Sequence, residues 1–188
     1  MFRPLRNRAR AARAQAASPL SAGQIEVLAK ANDLVKNGQS GQAAPLFAEL
    51  ARELENTQHP RAAANLHAQA AHAFANANDA QGSLLHARAA LTLFIQNRML
   101  VRAPTFYNNI IRKLSNKGLQ AAADTLKNEF GGQIGKLPTP RQGTGPSPAA
   151  QPGKLPGSCP KCGAPVHGSA SVGEELECDY CGTAIRAE

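Results

Sequence analysis

Three turns spaced forty residues apart constrain this chain of 188 residues more than any other feature of it. Gly38, Asn78 and Gly118 fall in one column, each ending an apolar helical pattern, in VKNGQ, ANAND and SNKGL. Gly and Asn are the residues that tolerate a positive φ just past a helix C-terminus. Four residues before each stands a large apolar side chain, Leu34, Phe74 or Leu114. Five after each stands a small one, Ala43, Ser83 or Ala123. Weaker columns follow at Ala31, Ala71 and Ile111, and at Leu50, Ala90 and Phe130. A repeat of this length marks stacked supersecondary units, and about three are needed for stability.

Each unit reads as a helical hairpin. The pattern predicts helices over 21–37 and 40–56, 60–77 and 80–96, then 103–117 and 119–130. Pro60 and Pro104 suit first-turn positions, where a missing N–H costs nothing. Pro45 falls about one turn into its helix, where it can be absorbed. Alanine, abundant throughout, is the best helix former, and it lets helices approach closely.

The stretch KANDLVKNGQSGQAAPLFAELA resembles a tetratricopeptide repeat, with Gly38 in the turn, Ala43 at the small position, then Phe47 and Leu50. AHAFANANDAQGSLLHARAALTLF is similar, with Asn78-Asp79 at the turn, then Ser83, Ala87 and Ala90. IIRKLSNKGLQAAADTLKNEF matches less, since Lys127 stands in the column of Phe47, and the period exceeds the family's usual length. The resemblance covers about residues 21–130 and implies three hairpins curving around a binding groove. Its lining residues would be Asn32, Lys36, Asn65, His72, Asn76, Asn108, Arg112 and Asn116. Amide side chains there could pair with both N–H and C=O of an extended peptide. Any of these residues could equally be the solvent side of an amphipathic helix. The family's clamp for chaperone tails is not reproduced, because Leu28 stands where its first lysine is expected.

The second strong signal lies near the C-terminus. Cys159 and Cys162 are separated by two residues, as are Cys178 and Cys181, with fifteen residues between the pairs. Such paired turns point four thiolates at one spot and complete a tetrahedron around a metal. Gly163 and Gly182 follow the second cysteine of each turn and let the backbone aim N–H groups at the sulfurs. Four protein ligands leave no open position, so one structural Zn2+ is expected, with a four-thiolate iron site or a redox dithiol as alternatives. The segment resembles a zinc ribbon over residues 158–188, with strands near 164–166, 175–178 and 183–186. Zinc would supply the folding energy of so small a module. His167 reads as an exposed loop residue, not a ligand.

Charge sorts the remaining segments. The net charge of +8 is uneven along the chain. Residues 1–20 form an arm with Arg3, Arg6, Arg8, Arg10 and Arg13 and no acid. It lacks the apolar stretch of a secretory signal and fits a solvated arm, a contact with nucleic acid or an anionic membrane surface, or an Arg-rich transit peptide. Residues 131–157 are rich in Gly and Pro and predict a disordered linker, so that its two neighbours are tethered without rigid docking. The last thirty residues hold two bases and five acids, among them Glu174, Glu175, Glu177 and Asp179. No apolar run approaches the roughly 18–20 residues of a membrane-spanning helix.

The fold class expected is therefore all-α hairpin repeats over 21–130, joined by the linker to a small β zinc ribbon. A cytoplasmic setting suits four cysteines that serve a metal. No phosphate loop or nucleophile–base pair suggests an enzyme or a small-molecule substrate. Two readings remain: a protein-interaction adaptor with groove and ribbon engaging different partners, or a nucleic-acid-associated protein using the arginine arm and the ribbon. An acidic ribbon is a poor partner for a polyanion, which favours the adaptor.

Overall fold

The computed structural model describes residues 20–57, 59–137, 153–166, 170, 175–178, 180–181 and 183–187. Six helices follow one another: α1 (Ala22–Lys36), α2 (Ser40–Glu55), α3 (Pro60–Asn76), α4 (Ala80–Gln96), α5 (Arg102–Asn116) and α6 (Gln120–Ile134). Two short strands, β1 (Glu175–Glu177) and β2 (Ala184–Arg186), pair antiparallel with Leu176 opposite Ile185. A further antiparallel bridge joins Ser158 to Pro165. The arm residues Arg3, Arg6, Arg8, Arg10 and Arg13 lie outside the described residues, as do His167 and residues 138–152 of the expected linker.

The forty-residue columns correspond to one repeated way of ending a helix. Gly38, Asn78 and Gly118 have φ of 76°, 60° and 74°. In each case the next residue's N–H returns to a carbonyl five residues back: Gln39 to Leu34 (2.8 Å), Asp79 to Phe74 (2.9 Å) and Leu119 to Leu114 (2.9 Å). These bonds satisfy carbonyls that the helix itself leaves open. The turn between α4 and α5 repeats the pattern with a residue the columns do not mark. There Arg98 has φ 54° and Met99 N–H donates to Phe94 O at 2.8 Å.

Helix starts are also set locally. Ser21 and Gln24 form a reciprocal capping box on α1. Asp79 Oδ1 accepts from Gly82 N–H at 2.9 Å and caps α4. Pro60 opens α3, and Pro45 sits exposed in α2, where water can reach the carbonyl it leaves without a donor. The one boundary that moves is the last. α6 continues through Gly131 and Gly132 to Ile134, so residues 131–134, expected to belong to the linker, are helical. Buried Ile134 gives those residues a reason to stay helical.

Packing exploits small side chains. Ala43, Ser83 and Ala123 are all fully buried, and Ser83 Oγ donates to Ala71 O at 3.0 Å, so its hydroxyl is satisfied. α3 is sandwiched between α2 and α4 and also meets α5, and most of its residues are buried. One apolar cluster joins α1, α2 and one side of α3, with Leu28, Phe47, Leu54 and Leu66 at its centre. A second joins the other side of α3 to α4, α5 and α6 through Leu91, Phe94, Ile110, Leu114 and Leu126. Lys127, in the column of Phe47, pairs with Asp124 at 2.9 Å at the surface.

Two buried histidines meet between α3 and α4. His67 Nδ1 and His86 Nδ1 are 2.8 Å apart, and Phe74 stacks on His86 with ring centroids 5.4 Å apart. His67 Nε2 lies 3.0 Å from Glu55 Oε1. Two facing Nδ1 atoms at this distance share one proton, so at least one ring there must be neutral on that side. Burial lowers the pKa of His67, and burial together with the charges of His67 and Arg52 takes His86 down to about 4. His72 is likewise pushed to about 4 by burial and then by Lys113.

Two predictions follow from these contacts. The unfolded chain takes up protons on its histidines near pH 6.5, while the folded chain resists until about pH 4. Stability should therefore be level above pH 6.5 and fall as the pH drops toward 4, by on the order of 3 kcal/mol for one ring shifted this far. Thermal melts followed by circular dichroism should show that slope equally in wild type and Cys178→Ser, which separates it from metal release. A midpoint that stays level from pH 7 to 4.5 would contradict it. Second, a Cβ on Gly82 would lie 2.7 Å from the Phe74 ring. Gly82→Ala should lower stability by about 1–3 kcal/mol despite alanine's better helix propensity, measurable by urea denaturation.

Candidate metal centre and the adjoining groove

The four cysteines converge. Their sulfurs all lie within 4.8 Å of one another, and all four residues are buried. Cys159 Sγ and Cys181 Sγ are 3.6 Å apart, and Cys162 Sγ and Cys178 Sγ are 3.7 Å apart. Four sulfurs at about 2.3 Å from a central ion would be separated by about 3.8 Å along each tetrahedral edge. The spacing therefore fits a metal such as zinc. It is far too long for disulfides, which need about 2.05 Å.

Each cysteine is placed by a tight turn. In the first, Cys159 N–H donates to Ala164 O at 2.7 Å, and Gly163 N–H donates back to Cys159 O at 2.9 Å. Gly163 has φ 69°, which is what lets this turn close. In the second, Cys178 N–H donates to Thr183 O at 2.8 Å, and Cys181 Sγ lies 3.1 Å from Thr183 Oγ1. Backbone N–H groups face the sulfurs: Ala164 toward Cys162, Tyr180 and Cys181 toward Cys178, and Thr183 toward Cys181. Such donors favour thiolates. The sulfurs also compete for negative charge. Cys162, bonded to Cys178 and buried, is held strongly in the thiol form, while that same bond lowers Cys178 to about 5. Burial raises Cys181. Four thiolates in so small a volume need a cation, and a dication at their centre relieves the conflict.

The cysteine module rests on the helices. Asn32 Nδ2 in α1 donates to the main-chain carbonyl of Cys162 at 2.9 Å. A Cβ on Gly163 would come 3.4 Å from Asn32 Cβ, so glycine also allows this approach. Cys159, Cys162, Ala164, Tyr180 and Ile185 share the apolar cluster of Leu28 and Phe47. Two units expected to be merely tethered are in contact, because the cysteine module has too little apolar surface of its own to bury itself.

Beside that contact runs a groove walled by the first helix of each hairpin. Its larger cavity, about 580 Å³, is lined by Asn32 and Val35 of α1, by Gln69, His72 and Asn76 of α3, and by Asn109, Arg112, Lys113 and Asn116 of α5, among others. A second cavity of about 370 Å³ adjoins it between α3 and α5.

The residues singled out in the sequence meet different fates here. His72, Asn76, Arg112 and Asn116 line the groove. Asn32 lines it too but is used by Cys162, and Lys36 lies beside Gly163 and pairs with Asp33 at 3.3 Å. Asn65 lines the smaller cavity, is largely buried and accepts from Arg102 Nη1 at 2.8 Å. Asn108 is exposed and lines neither of these cavities, which its neighbour Asn109 does instead. The missed residues Gln69, Asn109, Lys113 and Lys117 were within reach of the sequence. Asn109, Arg112, Lys113 and Asn116 follow the i, i+3, i+4, i+7 spacing of one helix face, and Asn109 stands forty residues after Gln69 as Arg112 does after His72.

Fold and cysteines together define a helical-repeat-like domain of six helices carrying a four-cysteine group positioned to hold a metal. No protein-family model, no curated protein and no solved structure matches the chain. Among the described residues no helix is long and apolar enough to cross a membrane.

Purified chain should carry close to one zinc, measured by elemental analysis, and Cys178→Ser should lose nearly all of it. Unchanged metal content in that variant would exclude the four-cysteine site.

Proposed function

We propose that this protein is a non-enzymatic interaction adaptor, in which a tetratricopeptide-like groove binds a peptide or protein segment and a structural zinc ribbon serves as a second, metal-held surface. The observation that supports it is the chemistry of the groove wall. Side-chain amides of Gln69, Asn76, Asn109 and Asn116 alternate with Arg112, Lys113 and Lys117, and no carboxylate is among the described residues lining the larger cavity. Both polar atoms of the Gln69 amide and Nδ1 of His72 are buried without a partner. A buried amide with nothing to bond costs about 1–3 kcal/mol. A main-chain segment laid along the groove offers it both a donor and an acceptor. The zinc ribbon has four protein ligands and no position for a substrate, which supports a structural role for the metal.

Binding by the arginine arm and the ribbon to nucleic acid is the alternative reading, and the cationic wall does not by itself separate the two. Stacking aromatic rings would favour a nucleic acid. In the larger cavity the ring residues are Phe47 and His72, set among amides that suit a peptide main chain better.

Full-length protein and a Gln69→Ala, Lys113→Ala double variant should be compared by affinity capture with mass-spectrometric identification. A protein partner retained by wild type and reduced at least tenfold by the double variant is the expected outcome. Recovery dominated by nucleic acid, lost on deleting residues 1–16, would overturn the adaptor reading.

A further inference from the structure

We infer that the cysteine module forms one wall of the groove, so that the groove between α3 and α5 is a composite site for a short acidic peptide segment and is complete only when the metal is bound. This rests on the groove reading above and adds to it the ligand's charge and its dependence on metal.

The composite wall is visible in Pro165. It directly follows Ala164, the residue that closes the first cysteine turn, and it lines both cavities. Tyr180, from the second cysteine turn, lines the smaller one. Gln69, His72 and Asn109 are common to both cavities, so the unpartnered Gln69 amide lies on a floor that Pro165 overlooks. The turn carrying Pro165 is in turn held on α1 by the bond from Asn32 to Cys162 O. Without metal the four sulfurs lose the ion that draws them together, and a module this small lacks the apolar core to keep its shape. Pro165 and Tyr180 would then leave the groove.

Charge identifies the ligand. Arg112, Lys113 and Lys117 line the larger cavity, and no carboxylate is among the described residues that line it. Lys113 Nζ is 3.1 Å from Asn76 Oδ1, and Lys117 Nζ is 3.5 Å from Asn76 O, so both ammonium groups converge on one residue of α3. Burial and the neighbouring Lys117 lower the pKa of Lys113. A carboxylate seated between these two lysines would relieve both effects, while Gln69 pairs with the main chain nearby. Residues 1–25 and 131–158 of this chain hold no acid. The occupant proposed is an acidic segment of another protein, matched to the cations of the larger cavity.

Metal and peptide are then coupled through the module, and the coupling is reciprocal: each strengthens the binding of the other by the same factor. The test uses fluorescence anisotropy with the full chain and a labelled glutamate-rich octapeptide, with a lysine-rich octapeptide and a single-stranded oligothymidine of eight nucleotides as comparisons. The zinc-loaded chain should bind the acidic peptide, and chelator treatment should weaken binding about tenfold or more, within the usual range of such couplings. Pro165→Gly should weaken it several-fold with zinc content unchanged, which separates loss of the wall from unfolding of the module. Circular dichroism should confirm that the helices persist in the stripped chain.

Binding that is lost with Gln69→Ala and Lys113→Ala, yet is unchanged or tighter after metal removal and in Pro165→Gly, would overturn the composite wall and leave the groove reading standing. Acidic-peptide binding insensitive to all of these substitutions would overturn both. Absence of binding in the zinc-loaded chain, or preference for the lysine peptide or the oligothymidine, would overturn the acidic ligand.

Discussion

The rest of the structure depends on the close packing of α3. This helix touches α2 on one side, α4 on another and α5 across the groove, and seven of its ten buried residues are alanine. Larger side chains would hold the neighbours apart, and overpacking of this kind costs about 1–3 kcal/mol per site. Because α3 is narrow on its packed faces, its fourth face can carry Gln69, His72 and Asn76 at the floor of a groove. The buried His67–His86 contact sits where α3 meets α4, and Glu55 reaches it from α2. Core packing and groove chemistry are thus two faces of one helix.

The cysteine module adds a second layer to this arrangement. Four buried sulfurs at tetrahedral spacing hold two turns together, and those turns offer a carbonyl to Asn32 and apolar residues to the cluster around Leu28 and Phe47. A module of some thirty residues buries too little of its own surface to be self-sufficient. A metal held by the four sulfurs would fix the turns, while the helical platform covers them.

Much of the fold was legible in the sequence because it is encoded in short-range chemistry. Gly38, Asn78 and Gly118 mark left-handed turns, since few other residues accept that backbone at low cost, and the structure repeats the same returning hydrogen bond at each. The two Cys-x2-Cys turns were equally clear, because their spacing alone makes each pair of sulfurs converge. Arg98 was invisible to this logic: it adopts the same positive φ without the residue type that signals it. The end of α6 was misjudged for the opposite reason, since two glycines read as a break while the burial of Ile134 carries the helix on. Asn108 came from the positions implied by the repeat family, whereas the forty-residue column of Gln69 holds Asn109, one residue and about 100° further around the helix.

What the sequence by itself determined is local: where helices stop, which residues are small enough for close packing, and which four atoms can share an ion. These follow from backbone sterics and side-chain size within a few residues. Only the tertiary structure decided that Asn32, read as a groove residue, turns to the carbonyl of Cys162, 130 residues away along the chain. It likewise decided that Pro165 overlooks the floor formed by Gln69. Contacts of that kind depend on which apolar surfaces remain uncovered after each unit has folded, and no short stretch of sequence records that.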